Sequence, residues 1–249
     1  MDDFTKIKDA FYKVQCLNWI KNRGYGPSAA GKTLENILGK EDDINSLPDY
    51  YGVELKTKID GSDPLVGLLS MAPDSEPLLI NRILNNYGWP SRKNLNFKVF
   101  FGSVYGNAFN DIGIFYSFKL HVDYVRKEVR LLIRNKTTFE INNTIGWSFE
   151  QLSYRLSKKL KLLAFINVKR FYVKENDAVY FKYYKMTLYR LKDFSYFLKA
   201  IENGYIRLNI KIDFYDKPGF YYGRIHNKGT TFEIKYENFS EIFEDQDGC

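Results

Sequence analysis

Apolar residues spaced three and four apart open the chain. Phe4, Ile7, Phe11, Val14, Leu17 and Trp19 or Ile20 form one stripe, which predicts a helix that Gly24 would stop. A second short helix is expected from about Lys32 to Leu38, ending at Gly39. The turn-rich acidic stretch Glu41 to Asp49 then feeds a strand at about Tyr51–Lys58. Val66–Met71 reads as its hairpin partner across Asp60-Gly61-Ser62-Asp63-Pro64. Helical spacing returns from Pro77 to Tyr87. Short β-type runs, such as Ile112–Leu120 and Val129–Ile133, mark the stretch from Phe97 to Ile141. An amphipathic helix, Ser148 to Leu160, sets Phe149, Leu152, Leu156 and Leu160 on one face. Leu162–Val168 and Val179–Met186 read as strands, Asp193 to Asn203 as a helix closed by Gly204, and Tyr205–Tyr215 as a long strand. Helices alternate with strands, so the expected class is α/β (or α+β), a mixed central sheet flanked by helices. No repeat or low-complexity linker interrupts residues 1–249, which predicts one compact unit.

Composition narrows the choice. A chain of 249 residues can bury a real core as one domain or two associated lobes, and 45% hydrophobic content excludes disorder for its bulk. No apolar run approaches the roughly 20 residues of a membrane span. Met1-Asp2-Asp3-Phe4 lacks the order of a signal peptide. The two cysteines, Cys16 and Cys249, exclude a disulfide framework and a four-ligand zinc site. These features predict a soluble cytoplasmic protein. A net charge of +7 favours a polyanionic partner, because each Lys or Arg set on a phosphate releases condensed counterions. The 20 Tyr and 20 Phe suit a β-rich core. Tyr180-Phe181-Lys182-Tyr183-Tyr184-Lys185 could stack bases, but alternating strand packing explains it more simply.

One motif misleads. Gly26-Pro27-Ser28-Ala29-Ala30-Gly31-Lys32-Thr33 matches the phosphate-loop pattern of two glycines followed by Lys and Thr. Such a loop must leave the end of a buried strand, whereas Phe11 to Arg23 reads as a helix. No later apolar strand ends in an acidic residue to hold magnesium. A helix N-terminus facing a DNA phosphate is the reading that survives there.

The informative segment is Leu47-Pro48-Asp49-Tyr50-Tyr51-Gly52-Val53-Glu54-Leu55-Lys56-Thr57-Lys58. Side chains alternate along a strand, so Glu54, Lys56 and Lys58 share one face and Val53, Leu55 and Thr57 the other. The apolar face would enter the core, leaving a carboxylate and an ammonium side by side on the polar one. Asp49, in a turn just upstream, can swing alongside Glu54. Two carboxylates and a neighbouring carbonyl, that of Leu55, make a hard oxygen site suited to Mg2+. Lys56 would orient an attacking water and stabilise charge developing on a phosphate. Glu-x-Lys alone is a weak signal, since it recurs at Glu233-Ile234-Lys235, where a solvated strand face explains it. Asp49 following a proline, Glu35 on the helix just upstream and the basic charge strengthen the case.

Gly31-Lys32-Thr33-Leu34-Glu35-Asn36-Ile37-Leu38-Gly39, the Pro48-Asp49 turn and Val53-Glu54-Leu55-Lys56-Thr57 resemble the MvaI/BcnI family of type II restriction endonucleases. That family is related to the mismatch-repair nickase MutH. The resemblance continues through Trp147-Ser148-Phe149, the helix to Leu160, Leu162–Asn167 and Ile201-Glu202-Asn203-Gly204. It reaches Gly223-Arg224-Ile225-His226-Asn227-Lys228-Gly229-Thr230-Thr231-Phe232, so it spans about Gly24 to Phe232. It implies a PD-(D/E)XK nuclease core with two lobes forming a DNA cleft, with the catalytic motif at about 24–72 and DNA-recognition elements at about 97–142 and 205–235. Asp49, Glu54 and Lys56 would be catalytic, Asp49, Glu54 and Leu55 would bind Mg2+, and Glu35 would assist the metal as in MutH-like members. The partner implied is double-stranded DNA, cut by a monomer that nicks each strand in turn. A cognate DNA methyltransferase is expected in the same system without a stable complex, and no membrane is involved.

Departures fall where target sequences are read. Members of the family carry arginine and histidine around the last strands, where this chain has Lys211, Lys228 and Glu233. Candidate DNA contacts are Lys58, Lys211, Asp213, Tyr215, Arg224, His226, Asn227, Lys228 and Thr230. The plainer reading makes about half of these turn or fold residues, because phosphate and structural contacts outnumber base contacts. His226 then only caps a strand in a Gly-rich turn, and His121, on an alternating strand, is structural. The competing functions are a MutH-like nickase that stops after one strand and a DNA-binding module with an inactive centre.

Overall fold

The computed structural model describes residues 3–24, 26–39, 48–62, 65–75 and 78–246, in two compact units. The first comprises Met1–Pro64, Leu156–Lys192 and Ile242–Cys249, and the second Leu65–Arg155 and Asp193–Glu241. Helix Phe149–Leu160 begins in the second unit and ends in the first. Among the described residues no helix is long and apolar enough to cross a membrane. Most of the acidic run (41–47), residues 63–64 of the expected turn, Pro77 and Cys249 lie outside the described residues.

The first unit is built on a mixed sheet. Its strands run in the order Ile20–Lys21, Ala178–Leu191, Leu162–Val173, Glu54–Ile59, with Phe243–Asp245 added beside Ala178–Leu191. All pairs are antiparallel except one: Glu54–Ile59, at the edge, lies parallel to Leu162–Val173. A parallel neighbour requires a crossover connection, supplied here by residues 65–161, which end in helix Phe149–Leu160. Helix Asp3–Cys16 buries Ile7, Phe11 and Val14, and helix Ala29–Ile37 buries Ala30 and Leu34. These side chains join Val53, Leu55, Ala164, Ile166, Val168, Phe181 and Tyr183 in one core. Burial of Phe181 and Tyr183, alternating with the more exposed Lys182 and Tyr184, is ordinary strand packing.

Two expectations for this unit need correction. The first helix ends at Cys16, because Asn18 adopts the left-handed conformation (φ 57°) that stops a helix. Leu17 and Trp19 are consequently exposed, and Ile20 is buried as a strand residue opposite Phe181. Leu65–Ser70 is a strand but not the hairpin partner of Glu54–Ile59. It pairs antiparallel with Ile225–Lys235 inside the second unit. Alternation specifies which face of a strand is buried, not which strand lies beside it.

The second unit holds two antiparallel sheets. One has the order Leu65–Ser70, Ile225–Lys235, Ile206–Phe214, Lys98–Tyr105, Trp89–Pro90, and the other Asn110–Ile112, Tyr116–Asp123, Glu128–Asn135, Ile141–Ser148. Phe100 from the first and Phe118 from the second meet edge to face at 5.5 Å, both fully buried. Trp147 packs on Phe232 at 5.5 Å, and its indole N–H donates to the Met71 carbonyl at 3.2 Å. Much of the aromatic content is spent on such joints, where large rings fill the space between layers. Helices Leu79–Tyr87 and Phe194–Glu202 complete the unit, the latter capped by Asp193, which accepts the Ser195 N–H at 2.9 Å.

The polar segment Gly223–Thr230, read from sequence as a turn, is largely strand. Ile225–Lys235 runs antiparallel to Ile206–Phe214, with Asp213 opposite His226 and Ile212 opposite Asn227. The register slips between Ile210 and Ile212, and Gly229 takes φ 120° on the facing strand. That irregularity and the run of polar residues hide the alternation that would have marked a strand.

Candidate active site

A two-residue turn creates the first site. The Tyr50 N–H donates to the Val53 carbonyl at 3.0 Å and the Val53 N–H to the Tyr50 carbonyl at 2.9 Å. Tyr51 and Gly52 between them both have positive φ, 46° and 76°, the conformation of a type I′ hairpin. Asp49 and Glu54 are the residues that flank this bridge on either side. The tight turn thus achieves what the sequence suggested, folding Asp49 back along the strand that carries Glu54.

Asp49 is held by the strand's outer edge, where its Oδ2 accepts the Leu55 N–H at 2.9 Å. In an extended chain the N–H and C=O of one residue leave the same side. The Leu55 carbonyl therefore emerges on the Asp49 side as well. Val53 and Leu55 point into the core, as expected.

The polar face is not a solvated face. Glu54 is only 2% exposed, and its Oε1 accepts from Lys56 Nζ at 2.7 Å. A second ammonium, that of Lys159, stands 3.4 Å from the same oxygen. Glu54 Oε2 is buried and has no hydrogen-bond partner among the described residues. An unpartnered buried carboxylate oxygen is costly unless something completes it, and a hard divalent cation is the group such an oxygen would complete. Asp49, Glu54 and the Leu55 carbonyl fit Mg2+, which is commonly held by one or two carboxylates while keeping several waters.

Glu35 is placed differently. It is half-buried on helix Ala29–Ile37, with its Oε1 close to Gly31 one turn earlier. Its charge acts on Tyr183, whose hydroxyl donates to the Ala30 carbonyl at 2.7 Å. Burial pushes the Tyr183 phenol well above its ordinary value, the Thr33 hydroxyl opposes this, and the Glu35 charge adds to the rise. Among the described residues no three carboxylates, histidines or cysteines converge as a metal cluster, so Glu35 is not brought into one group with Asp49 and Glu54. Lys58 lies half-buried further along the same strand.

The phosphate-loop pattern has a packing role. Thr33, fully buried, donates to the Ala29 carbonyl at 2.8 Å and accepts the Arg23 N–H at 2.9 Å. The strand before it, Ile20–Lys21, is a two-residue strand at the sheet edge, not the buried strand such a loop needs.

The second group of candidates lies on the ribbon of Ile206–Phe214 and Ile225–Lys235. Asp213, largely buried, accepts from Lys228 Nζ at 2.7 Å through Oδ2 and from the Phe214 N–H at 2.9 Å through Oδ1. Burial alone would push its carboxyl up, but the Lys228 ammonium and the Phe214 amide outweigh that and hold it below the ordinary range. His226 stacks on Tyr215 with ring centroids 4.3 Å apart and planes 13° from parallel. Arg224 lies over the Phe220 ring at 4.7 Å. Asp213, Tyr215, Phe220, His226 and Lys228 line a pocket of about 410 Å³ together with Lys93 and Asp216. Lys211 is exposed on the neighbouring strand, and Asn227 accepts the Gly229 N–H at 2.9 Å. Thr230 is only 6% exposed and lines a separate pocket with Met71 and Leu79. Glu233 is bound to Arg207 at 2.9 Å and to Asn209 at 2.9 Å, a cross-strand lock rather than a free reading head.

Sequence reasoning missed Lys159, the aromatic loop at Phe220 and Tyr221, and the Arg207–Glu233 lock. The one usable hint for Lys159 was a Lys-Lys pair at the end of an amphipathic helix that runs directly into a core strand.

The fold is that of a restriction endonuclease. The structure of restriction endonuclease MvaI in complex with its cognate DNA substrate matches with a TM-score of 0.88 and 29% identity, over 99% of this chain and 98% of that one. Restriction endonuclease MvaI in the absence of DNA matches with a TM-score of 0.61 and 28% identity, over 99% and 97%. Residues 8–243 match the model of the MvaI/BcnI restriction endonuclease family, and the chain belongs to that family. Among curated proteins, no sequence matches it.

Proposed function

We propose that the chain is a type II restriction endonuclease of the PD-(D/E)XK kind, hydrolysing phosphodiester bonds at a specific sequence in double-stranded DNA with Mg2+. The carrying observation is the buried, unpartnered Oε2 of Glu54 beside Asp49 and Lys56, in a chain that matches its family almost end to end. Asp49, Glu54 and the Leu55 carbonyl would hold the ion. When bound, Mg2+ would supply Lewis acidity, offsetting charge on the scissile phosphate and making a bound water easier to deprotonate.

The chain's own groups do the rest. Asp49 stays fixed by the Leu55 amide, so its other oxygen is presented in one direction. Lys56 carries its ammonium next to the carboxylate pair, where it can orient the attacking water and offset charge growing on the phosphate. The ribbon of the second unit supplies sequence reading: Lys228, His226, Arg224, Tyr215 and Lys211 present donors and flat rings of the kind that read base edges in a groove. Asp213, Asn227, Thr230 and Lys58 support or flank them. The enzyme acts as a monomer that nicks each strand in turn, in the cytoplasm, with a separate methyltransferase protecting the host's own sites.

Digestion of a sequenced supercoiled plasmid in Mg2+, with the ends mapped, tests the proposal. Linear product with defined ends supports it. Arrest at open circles replaces it with a nickase, and binding without any cleavage replaces it with a DNA-binding module.

A further inference from the structure

Oε1 of Glu54 carries two ammonium groups, and only one comes from its own strand. Lys56 Nζ is 2.7 Å away and Lys159 Nζ 3.4 Å, with lysine side chains 25% and 32% exposed against 2% for the carboxylate. Lys159 sits in the last turn of helix Phe149–Leu160, whose Leu152, Leu156 and Leu160 are buried. The chain then passes directly into Leu162–Val173, where Leu163 is the residue paired with Glu54. Helix packing and strand register therefore both fix Lys159 relative to Glu54.

The two lysines cannot have the same task. In the reaction proposed above, the Lys56 ammonium serves water and phosphate, so it must loosen its hold on Glu54. A carboxylate buried this deeply needs a donor on each oxygen it presents, or it turns to find one. A ligand whose outer oxygen is pinned keeps its inner oxygen aimed.

We propose that Lys159 is a positioning residue of this active site: it holds Oε1 of Glu54, so that Oε2 stays directed to the cation while Lys56 is released to the substrate. This rests on the catalytic reading of Asp49, Glu54 and Lys56.

The test compares the full chain with Lys159→Met and Lys159→Arg. Single-turnover cleavage should fall about tenfold or more in the Met variant, equivalent to losing one ion-paired placement of the ligand. The Arg variant, which can still donate to Oε1, should recover most of the rate. DNA affinity in Ca2+, and its salt slope, should be unchanged in both. In the metal-free chain, chemical labelling of the Lys56 amine, read by mass spectrometry, should slow severalfold in the Met variant, because Glu54 then no longer shares its charge with Lys159. The Arg variant should restore it. Wild-type cleavage by the Met variant would reduce Lys159 to a surface ion pair. Weaker binding to all DNA, with the salt slope lowered by about one, would make it a phosphate contact. Unchanged labelling of Lys56 would overturn the exchange between lysines even if the rate fell. Should the Met variant unfold, Lys159→Gln carries the same comparison. The labelling arm needs no activity, so it separates failure of this inference from failure of the endonuclease reading, which wild-type cleavage decides.

Discussion

Replacing Glu54 by Met should abolish cleavage and yet leave the metal-free protein no less stable. The argument starts from the carboxylate's surroundings. Its buried Oε2 lacks a partner, which costs about 1–3 kcal/mol relative to a satisfied group. Against this stand its ion pairs with lysines that are a quarter to a third exposed, each contributing at most about 1 kcal/mol. Methionine has similar volume, adds apolar contact in a site that excludes water, and lets both lysines extend to solvent. The balance favours the variant by about 1 kcal/mol, a rise in midpoint of roughly 2–4 °C for a chain of this size.

Thermal unfolding with EDTA and with Mg2+ measures both halves of the claim. Wild type should gain stability with the ion, by about 2.7 kcal/mol at a hundredfold excess over its dissociation constant. The Met variant should not respond. A loss of about 3 kcal/mol or more in EDTA would show that Glu54 anchors the fold. An unchanged response to Mg2+ would show that the ion binds elsewhere.

Asp49→Asn should also lose cleavage while unfolding within about 0.5 kcal/mol of wild type, because an amide oxygen can still accept the Leu55 N–H; Asp49→Ala, which cannot, should cost about 1 kcal/mol in urea melts. The depressed Asp213 carboxyl contributes stability that is fully present above the unfolded value of about 4 and lost as pH falls through its lower folded value. The lead of wild type over Asp213→Asn should therefore shrink in urea melts below about pH 4, and a constant lead would refute the ion pair's role. Lys32→Ala should leave cleavage independent of ATP, and any ATP hydrolysis lost in that variant would restore the phosphate-loop reading. Among Arg224→Ala, His226→Ala and Lys228→Ala, the Lys228 variant should lose about 1–3 kcal/mol of discrimination between cognate and single-substitution sites in Ca2+, whereas a phosphate contact would weaken all sites alike.

The arrangement of Asp49, Glu54 and Lys56, the proposed catalytic trio, was legible because its geometry is local. A strand's period of two places Glu54 and Lys56 together, and a turn of Tyr51-Gly52 returns Asp49 within a few residues. Lys159 was not legible, because its place depends on the pairing of Glu54 with Leu163, and no local pattern encodes a parallel neighbour from so far along the chain. The same limit produced the false hairpin between Glu54–Ile59 and Leu65–Ser70, whose true partner is Ile225–Lys235. That partner was itself hidden, since polar residues occupy both faces at His226, Asn227 and Lys228 and the register slips nearby. Glu35 entered as a helper of the metal through the family resemblance and its place on the helix just upstream, and no local pattern in the sequence says how close that helix brings it to Asp49 and Glu54.

Two buried carboxylates show how similar residues acquire different tasks. Both oxygens of Asp213 are engaged, one by the Phe214 amide and one by Lys228, and this completeness holds the lysine head at a fixed place on the ribbon. Glu54 has two cations on one oxygen and nothing on the other. Completeness suits a group that presents a neighbour, because nothing must move when a base edge arrives. Incompleteness suits a group that receives a ligand, because the low surrounding polarity strengthens whatever contact finishes it. At Glu54 the lysine is a neighbour by alternation, whereas Asp213 meets Lys228 only in the fold, where its register partner is His226. In the proposed reading, the count of satisfied oxygens separates the residue that steadies a reading neighbour from the residue that binds the ion.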